Sequence, residues 1–453
     1  MRWDLIRQRL GLIAFSGILT VAFLEGAARL YPYWLPPEVL LGLGPSLKLR
    51  LAHSHPTVFA SIYPEWQRVF VLDSEIVYRL KSKQRVKIRP SLDHRPYWLI
   101  TDSQGFRNPR EYPQADVVAV GDSMTEGIGV PDEFTWVRRL EQMSGLLVAN
   151  LGLRGNNLPM KIATIETYGL LKHPRVILFE LVDDIGYPDE TGQRHELLVP
   201  GYIQKIVRAR EQELDSLRTP EGLLAAGLLS ENPATLSGHQ TGSLLNRLRY
   251  VTLSYSVTYA FIRTIFKSFR NLLHSVRAQQ ETRDQSEISR QSTLFSVSGR
   301  PVRIAIPPGT LEDIAFRSLP YLRKHPDWSR LQESLLKLRE QSAAQEARLI
   351  IVLIQDPLPV YLPLIAGELP SSKTLSAALR SADAHPQLFA SFCAEHDLIF
   401  IDTTPTLRAA AARGEQLCFP VDPHWNASGH RVIAQEIFRA LDAKQLVSKP
   451  HGR

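Results

Sequence analysis

The sequence predicts an α/β protein built on a doubly wound, flavodoxin-like parallel sheet of about five strands. Three observations predict it. Short apolar runs start near residues 117, 146, 176, 349 and 398, with stretches of helical character between them. The first run, Val117 to Val120, breaks at Gly121-Asp122-Ser123. That puts a hydroxyl just past the carboxyl end of a strand, where open α/β sheets place their ligands. Near the C-terminus, Asp422-Pro423-His424-Trp425-Asn426 precedes an amphipathic helix from Arg431 to Leu441.

Length and composition bound the rest. A chain of 453 residues can bury a sizeable core and has room for one large domain with additions, or for two. Hydrophobic residues make up 44% and charged residues 22%, within the globular range. The net charge of +7 is scattered and no nucleic-acid motif accompanies it, so nucleic acid is excluded as a partner. The charge reads as solvated surface, or as a face toward anionic lipid or polysaccharide. Only Cys393 and Cys418 occur, which excludes a disulfide framework and a cysteine-rich zinc site but leaves one bridge open.

In chain order, residues 1–35 read as an uncleaved signal anchor. Arg2, Arg7 and Arg9 precede an apolar run from Leu10 to Leu24, extended past Glu25 by Ala27, Ala28 and Leu30, with Tyr31, Tyr33 and Trp34 as an aromatic belt. A cleaved signal peptide and a buried helix are the competing readings. The arginines predict a single pass through the cytoplasmic membrane, with the N-terminus inside and the remainder outside. Residues 36–110 form a connector with short strands at Val77–Leu80 and Val86–Arg89. Residues 111–190 hold the first half of the core: the Val117 strand, a helix over Thr135–Met143, a strand at Leu146–Ala149 and another at Val176–Phe179. Residues 191–325 turn polar and charged and read as an insertion or cap. Within it, the amphipathic stretch Val251–Phe269 could pack on the core, cover the site or lie on a membrane. Residues 326–453 resume the core with a helix over Ser329–Ala344, a strand over Leu349–Ile354, a helix over Gln387–His396 and a strand over Leu398–Ile401 ending at Asp402.

The chemistry lies in Ser123, Asp422 and His424. A serine needs a base and the base needs an orienting carboxylate; Asp422 and His424 on one short loop supply both. A plain N-cap serine and a structural histidine are the bland readings of each part taken alone. A metal site on His424 and His430 finds no third ligand, and no cofactor is expected.

The pairing of Gly121-Asp122-Ser123 after a strand with Asp422-Pro423-His424-Trp425-Asn426 before a terminal helix resembles the SGNH (GDSL-type) hydrolase superfamily. Thr101-Asp102-Ser103-Gln104-Gly105-Phe106-Arg107 and the single residue between Asp422 and His424 are similar to its membrane-attached bacterial branch, which includes alginate O-acetylation enzymes. The resemblance covers about residues 70–190 and 325–445. It implies Ser123 as nucleophile, His424 as base and Asp422 as acid, with the backbone amides of Ser123 and Gly152 as oxyanion donors. Where the family carries an oxyanion asparagine, this chain has Asp183, and an ionised carboxylate cannot donate. Either Asn156 or Asn157 substitutes, or Asp183 is protonated, or the site is weakened. The implied function is an esterase or O-acyltransferase acting on a small ester or an acylated carbohydrate of the envelope, with a membrane-bound acyltransferase as partner. A non-catalytic carbohydrate-binding or scaffold subunit is the alternative.

Overall fold

The computed structural model describes residues 69–88, 93–182, 185 and 291–446, with 16, 19, 20, 22–30, 47, 203–205, 207, 208, 211 and 212. The chain divides into two compact units, Val69–Val207 with Thr282–Arg453, and Met1–Arg68 with Arg208–Glu281. In the second of these, residues 22–30 are helical, and Arg29 pairs with Glu25 at 2.7 Å. Among the described residues no helix is long and apolar enough to cross a membrane. Most of the Leu10–Leu24 run, its aromatic flank and residues 251–269 lie outside the described residues.

The other unit opens with two antiparallel hairpins. β1 (Phe70–Asp73) pairs with β2 (Val77–Leu80), and β3 (Arg85–Ile88) pairs with β4 (Tyr97–Ile100). The central sheet then begins with β5 (Val117–Gly121), α1 (Ser123–Glu126), α2 (Trp136–Ser144), β6 (Val148–Gly152), α3 (Leu158–Thr164) and β7 (Val176–Leu181). After the second unit's segment come a hairpin of β8 (Thr293–Val297) and β9 (Arg300–Ile304), then α4 (Thr310–Phe316), α5 (Leu319–Lys324) and α6 (Pro326–Ala343). The sheet is completed by β10 (Arg348–Leu353), α7 (Pro357–Ile365), α8 (Lys373–Ser381), α9 (Ala384–Glu395), β11 (Ile399–Asp402), α10 (Thr404–Ala412) and α11 (Ala427–Ala443).

The five parallel strands lie in the order β11-β10-β7-β5-β6. Numbered within the sheet this is 2-1-3-4-5, the flavodoxin-like order, and the expected sheet is met. β5, β6 and β7 are buried along their whole length, as strands covered on both faces must be. The strand order reverses between β5 and β7, which opens a crevice beyond their carboxyl ends. Ser123 follows β5 at that point.

The expected insertion over 191–325 needs correction at its end. Phe295, Val297, Val302 and Ile304 of the β8–β9 hairpin and Ile314 of α4 are buried in the main core. Their period-2 alternation with Arg, Ser and Pro gives this segment a polar composition while one face is wholly apolar. α11 starts four residues before the expected Arg431 because Asn426 caps it, accepting the N–H groups of Ser428 (2.8 Å) and Gly429 (3.2 Å).

Candidate active site

The nucleophile turn is held from below by buried charge. Asp122 caps α1, its Oδ1 accepting the Met124 N–H at 2.8 Å, and Ser123 takes the first helical position. Glu180, fully buried at the end of β7, accepts the Asp122 N–H (2.8 Å) and the Thr125 hydroxyl (3.0 Å) on Oε2. Lys161, also fully buried, lies 3.8 Å from Glu180 Oε1 and 3.8 Å from Asp122 Oδ2, so one cation balances two carboxylates under the turn. A Cβ at Gly121 would fall 1.9 Å from Glu180 Oε2, so glycine is what lets that carboxylate reach the backbone.

The acid–base loop is a narrow hairpin. Phe419 N–H donates to the His424 carbonyl (3.0 Å), Asn426 N–H to the Leu417 carbonyl (2.9 Å), and Asn426 Nδ2 to the Gln416 (2.8 Å) and Cys418 (3.0 Å) carbonyls. Trp425 is fully buried and its indole N–H donates to the Gln355 carbonyl at 3.1 Å. The two residues thus anchor the loop and leave Asp422 and His424 to face Ser123.

The structure brings the three predicted residues together. His424 Nε2 lies 2.8 Å from Ser123 Oγ, and His424 Nδ1 makes a short hydrogen bond with Asp422 Oδ1. Asp422 Oδ1 also accepts the His424 N–H at 3.0 Å. Burial works to raise the Asp422 carboxyl, but hydrogen bonds from His424 and His94 and the charges of both imidazoles hold it well below the usual carboxylate range. Asp422 is therefore the ionised orienting acid.

The oxyanion side differs from expectation. The Gly152 N–H donates to Asn150 Oδ1 at 2.8 Å and is not open to a substrate. A Cβ at Gly152 would sit 2.3 Å from the Glu126 nitrogen, so this glycine serves the close approach of β6 to α1. The loop beyond it is tied to the nucleophile turn, since Leu153 N–H (3.1 Å) and Asn156 Nδ2 (3.2 Å) both donate to the Gly121 carbonyl. Gly155 sits on that loop at φ +73°, and neither its N–H nor that of Ser123 has an acceptor among the described residues. Asn157 caps α3, accepting the Met160 N–H at 3.3 Å. Asp183 lies outside the described residues.

Arg107, which reads in the sequence as a surface arginine, is fully buried. Its guanidinium donates to the carbonyls of Glu126 (3.1 Å), Gly127 and Val130 (2.7 Å) and lies 4.8 Å from the centroid of the Tyr97 ring. It therefore shapes the loop that leaves the nucleophile helix. Gly105 makes the preceding turn at φ +80°, where a Cβ would meet the Leu80 carbonyl oxygen at 2.0 Å. Arg107→Met is expected to lower stability by about 3–5 kcal/mol, because three buried carbonyls lose their donor. In a melting experiment that is a fall of roughly 10 °C. A fall of less than about 2 °C would place the guanidinium outside the fold's supports.

Neither cysteine is bridged: Cys393 and Cys418 are buried free thiols, each pushed up to about 12 by burial. His430 is also buried, accepts the Trp136 N–H on Nδ1 at 3.2 Å, and is lowered to about 3 by burial and then by Arg107 and His424. It stays neutral and starts α2. Among the described residues, no three His, Cys, Asp or Glu side chains converge as metal ligands.

A Ser-His-Asp chain at the switch point of a 2-1-3-4-5 parallel sheet defines an α/β serine-hydrolase type of site. In sheet order, nucleophile turn and acid–base loop it has the arrangement of the SGNH hydrolases that its motifs resemble. No protein-family model matches the chain, and no curated protein matches it. Solved structures similar to it include a member of the lipolytic protein G-D-S-L family from Veillonella parvula DSM 2008, at 13% identity and TM-score 0.30 over 71% of this chain and 96% of that one. TesA is similar at 11% identity and TM-score 0.31 over 72% of this chain and 98% of TesA. Both likenesses are distant.

Proposed function

We propose that the protein is a serine-dependent SGNH-type ester hydrolase or O-acyltransferase working through an acyl-enzyme. The observation that carries this reading is the unbroken hydrogen-bond chain from Ser123 Oγ through His424 to Asp422. With its proton on Nδ1, donated to Asp422, His424 offers Nε2 to take the Ser123 proton as Oγ attacks an ester carbonyl. The backbone N–H groups of Ser123 and Gly155 are the oxyanion donors in this scheme. Water attacking the acyl-enzyme completes a hydrolysis; a sugar hydroxyl completes an O-acyl transfer. The test is covalent: a fluorophosphonate added to the folded protein should modify the peptide containing Ser123 and no other serine. Modification elsewhere, or none, would sink the reading.

The setting follows from the sequence. Basic residues ahead of an apolar segment support a membrane anchor with the catalytic unit outside the cytoplasmic membrane, and that setting supports acyl esters of an envelope or exported polysaccharide as substrates. A membrane-bound acyltransferase would then be the acyl donor's source. The full chain should stay in the membrane fraction through an alkaline carbonate wash, and its release would argue for a cleaved leader.

A further inference from the structure

A second carboxylate and a second imidazole stand behind the triad acid. Asp93 and His94 precede β4 and reach the acid–base loop from a point 328 residues away in sequence. Asp93 Oδ2 accepts the N–H groups of Val421 (2.7 Å) and Asp422 (2.9 Å). His94 Nε2 lies 3.5 Å from Asp422 Oδ2, the oxygen that His424 does not use, and 3.8 Å from Asp93 Oδ1. No other acceptor among the described residues hydrogen-bonds that nitrogen. The His94 ring packs on Phe419 with centroids 4.2 Å apart. Both side chains are nearly buried, at 9% exposure for His94 and 4% for Asp93.

A carboxylate held by one oxygen can turn about its own axis and swing that oxygen off its partner. Asp422 is 28% exposed, so water competes for its free oxygen. A donor on Oδ2 removes that freedom, and an anchor on the backbone N–H removes the remaining motion of the loop. We propose that Asp93 and His94 are positioning residues for the triad acid: Asp93 fixes the Asp422 backbone, and His94 holds Asp422 Oδ2 so that Oδ1 stays on His424. The proposal rests on the Ser-His-Asp reading above. The bland account is that Asp93 closes a loop and His94 fills space beneath Phe419.

Two series separate these accounts in the full-length protein. His94→Phe keeps a ring on Phe419 without the donor, and His94→Gln keeps a donor without the ring. With p-nitrophenyl acetate, His94→Phe should lower kcat about 10- to 100-fold, the scale of a misplaced catalytic group, with KM little changed. His94→Gln should recover most of that loss. Asp93→Asn keeps an oxygen for both N–H groups and should retain more activity than Asp93→Ala. The second readout needs no turnover: the low-field proton resonance of the His424–Asp422 hydrogen bond should move or vanish in His94→Phe and return in His94→Gln. Wild-type kcat and an unmoved resonance in His94→Phe would overturn the proposal in favour of simple packing. Should His94→Phe lose its melting transition, His94→Leu carries the same comparison. A failure of the hydrolase reading shows itself separately, as wild-type and Ser123→Ala proteins equally inert to fluorophosphonate, and the resonance then still decides the role of His94.

Discussion

Ser123→Ala is expected to lower kcat for p-nitrophenyl acetate by at least about 10⁴-fold. The melting transition should hardly move, because Oγ is half-buried and His424 is its hydrogen-bond partner. Loss of the hydroxyl leaves the free amides in place, so a weak background over water should persist. His424→Ala should cost a similar factor, and the double variant should be little worse than either, since the two groups act as one unit. A Ser123→Ala protein that hydrolyses the ester at the wild-type rate would show that another nucleophile performs the reaction.

Asp422→Asn comes next, with an expected loss in kcat of about 10⁴-fold at neutral pH. Its carboxamide can turn an N–H toward His424 Nδ1, which then holds a lone pair there and leaves the proton on Nε2, facing Ser123. The base is blocked with its geometry intact. The substitution also has a sign in stability. Folding favours the ionised Asp422, whose carboxyl is held well below the usual carboxylate range. That contribution is present above the unfolded carboxylate value, near pH ~4, and is lost as pH falls through the folded value. Melting temperature should therefore fall less in Asp422→Asn than in wild type when pH drops from neutral to acid. Parallel melting curves across that range would contradict a strongly ionised Asp422.

The parts of this fold that were legible in the sequence are those in which composition and chemistry coincide. Parallel strands covered on both faces must be unbroken apolar runs, and β5, β7 and β10 are. Ser123, Asp422 and His424 were legible because a nucleophile, base and acid each sat beside a strand end or a capped helix. The β8–β9 hairpin was hidden because alternation at period 2 with Arg, Ser and Pro mimics a polar insertion. Gly152 was misread because a glycine at a strand end serves backbone approach as readily as oxyanion donation; only its hydrogen bond to Asn150 separates the two. Arg107, Asp93 and His94 act on partners distant in sequence, and a charged side chain carries no local mark of being buried. The Gly-Phe-Arg segment was the one available hint, and it pointed to kinship before it pointed to a role.

The order in which the site's parts occur along the chain has a consequence for biosynthesis. The braces Asp93 and Arg107 and the nucleophile Ser123 leave the ribosome early, while Asp422, His424 and α11 come last. β7 must pair with β10 across a long intervening stretch before the crevice can close, a slow non-local step. A nascent or partly exported chain thus bears a serine hydroxyl with no base beside it and is chemically silent. Competence arrives only with the final turn of synthesis, which would spare acyl esters met along the secretory route.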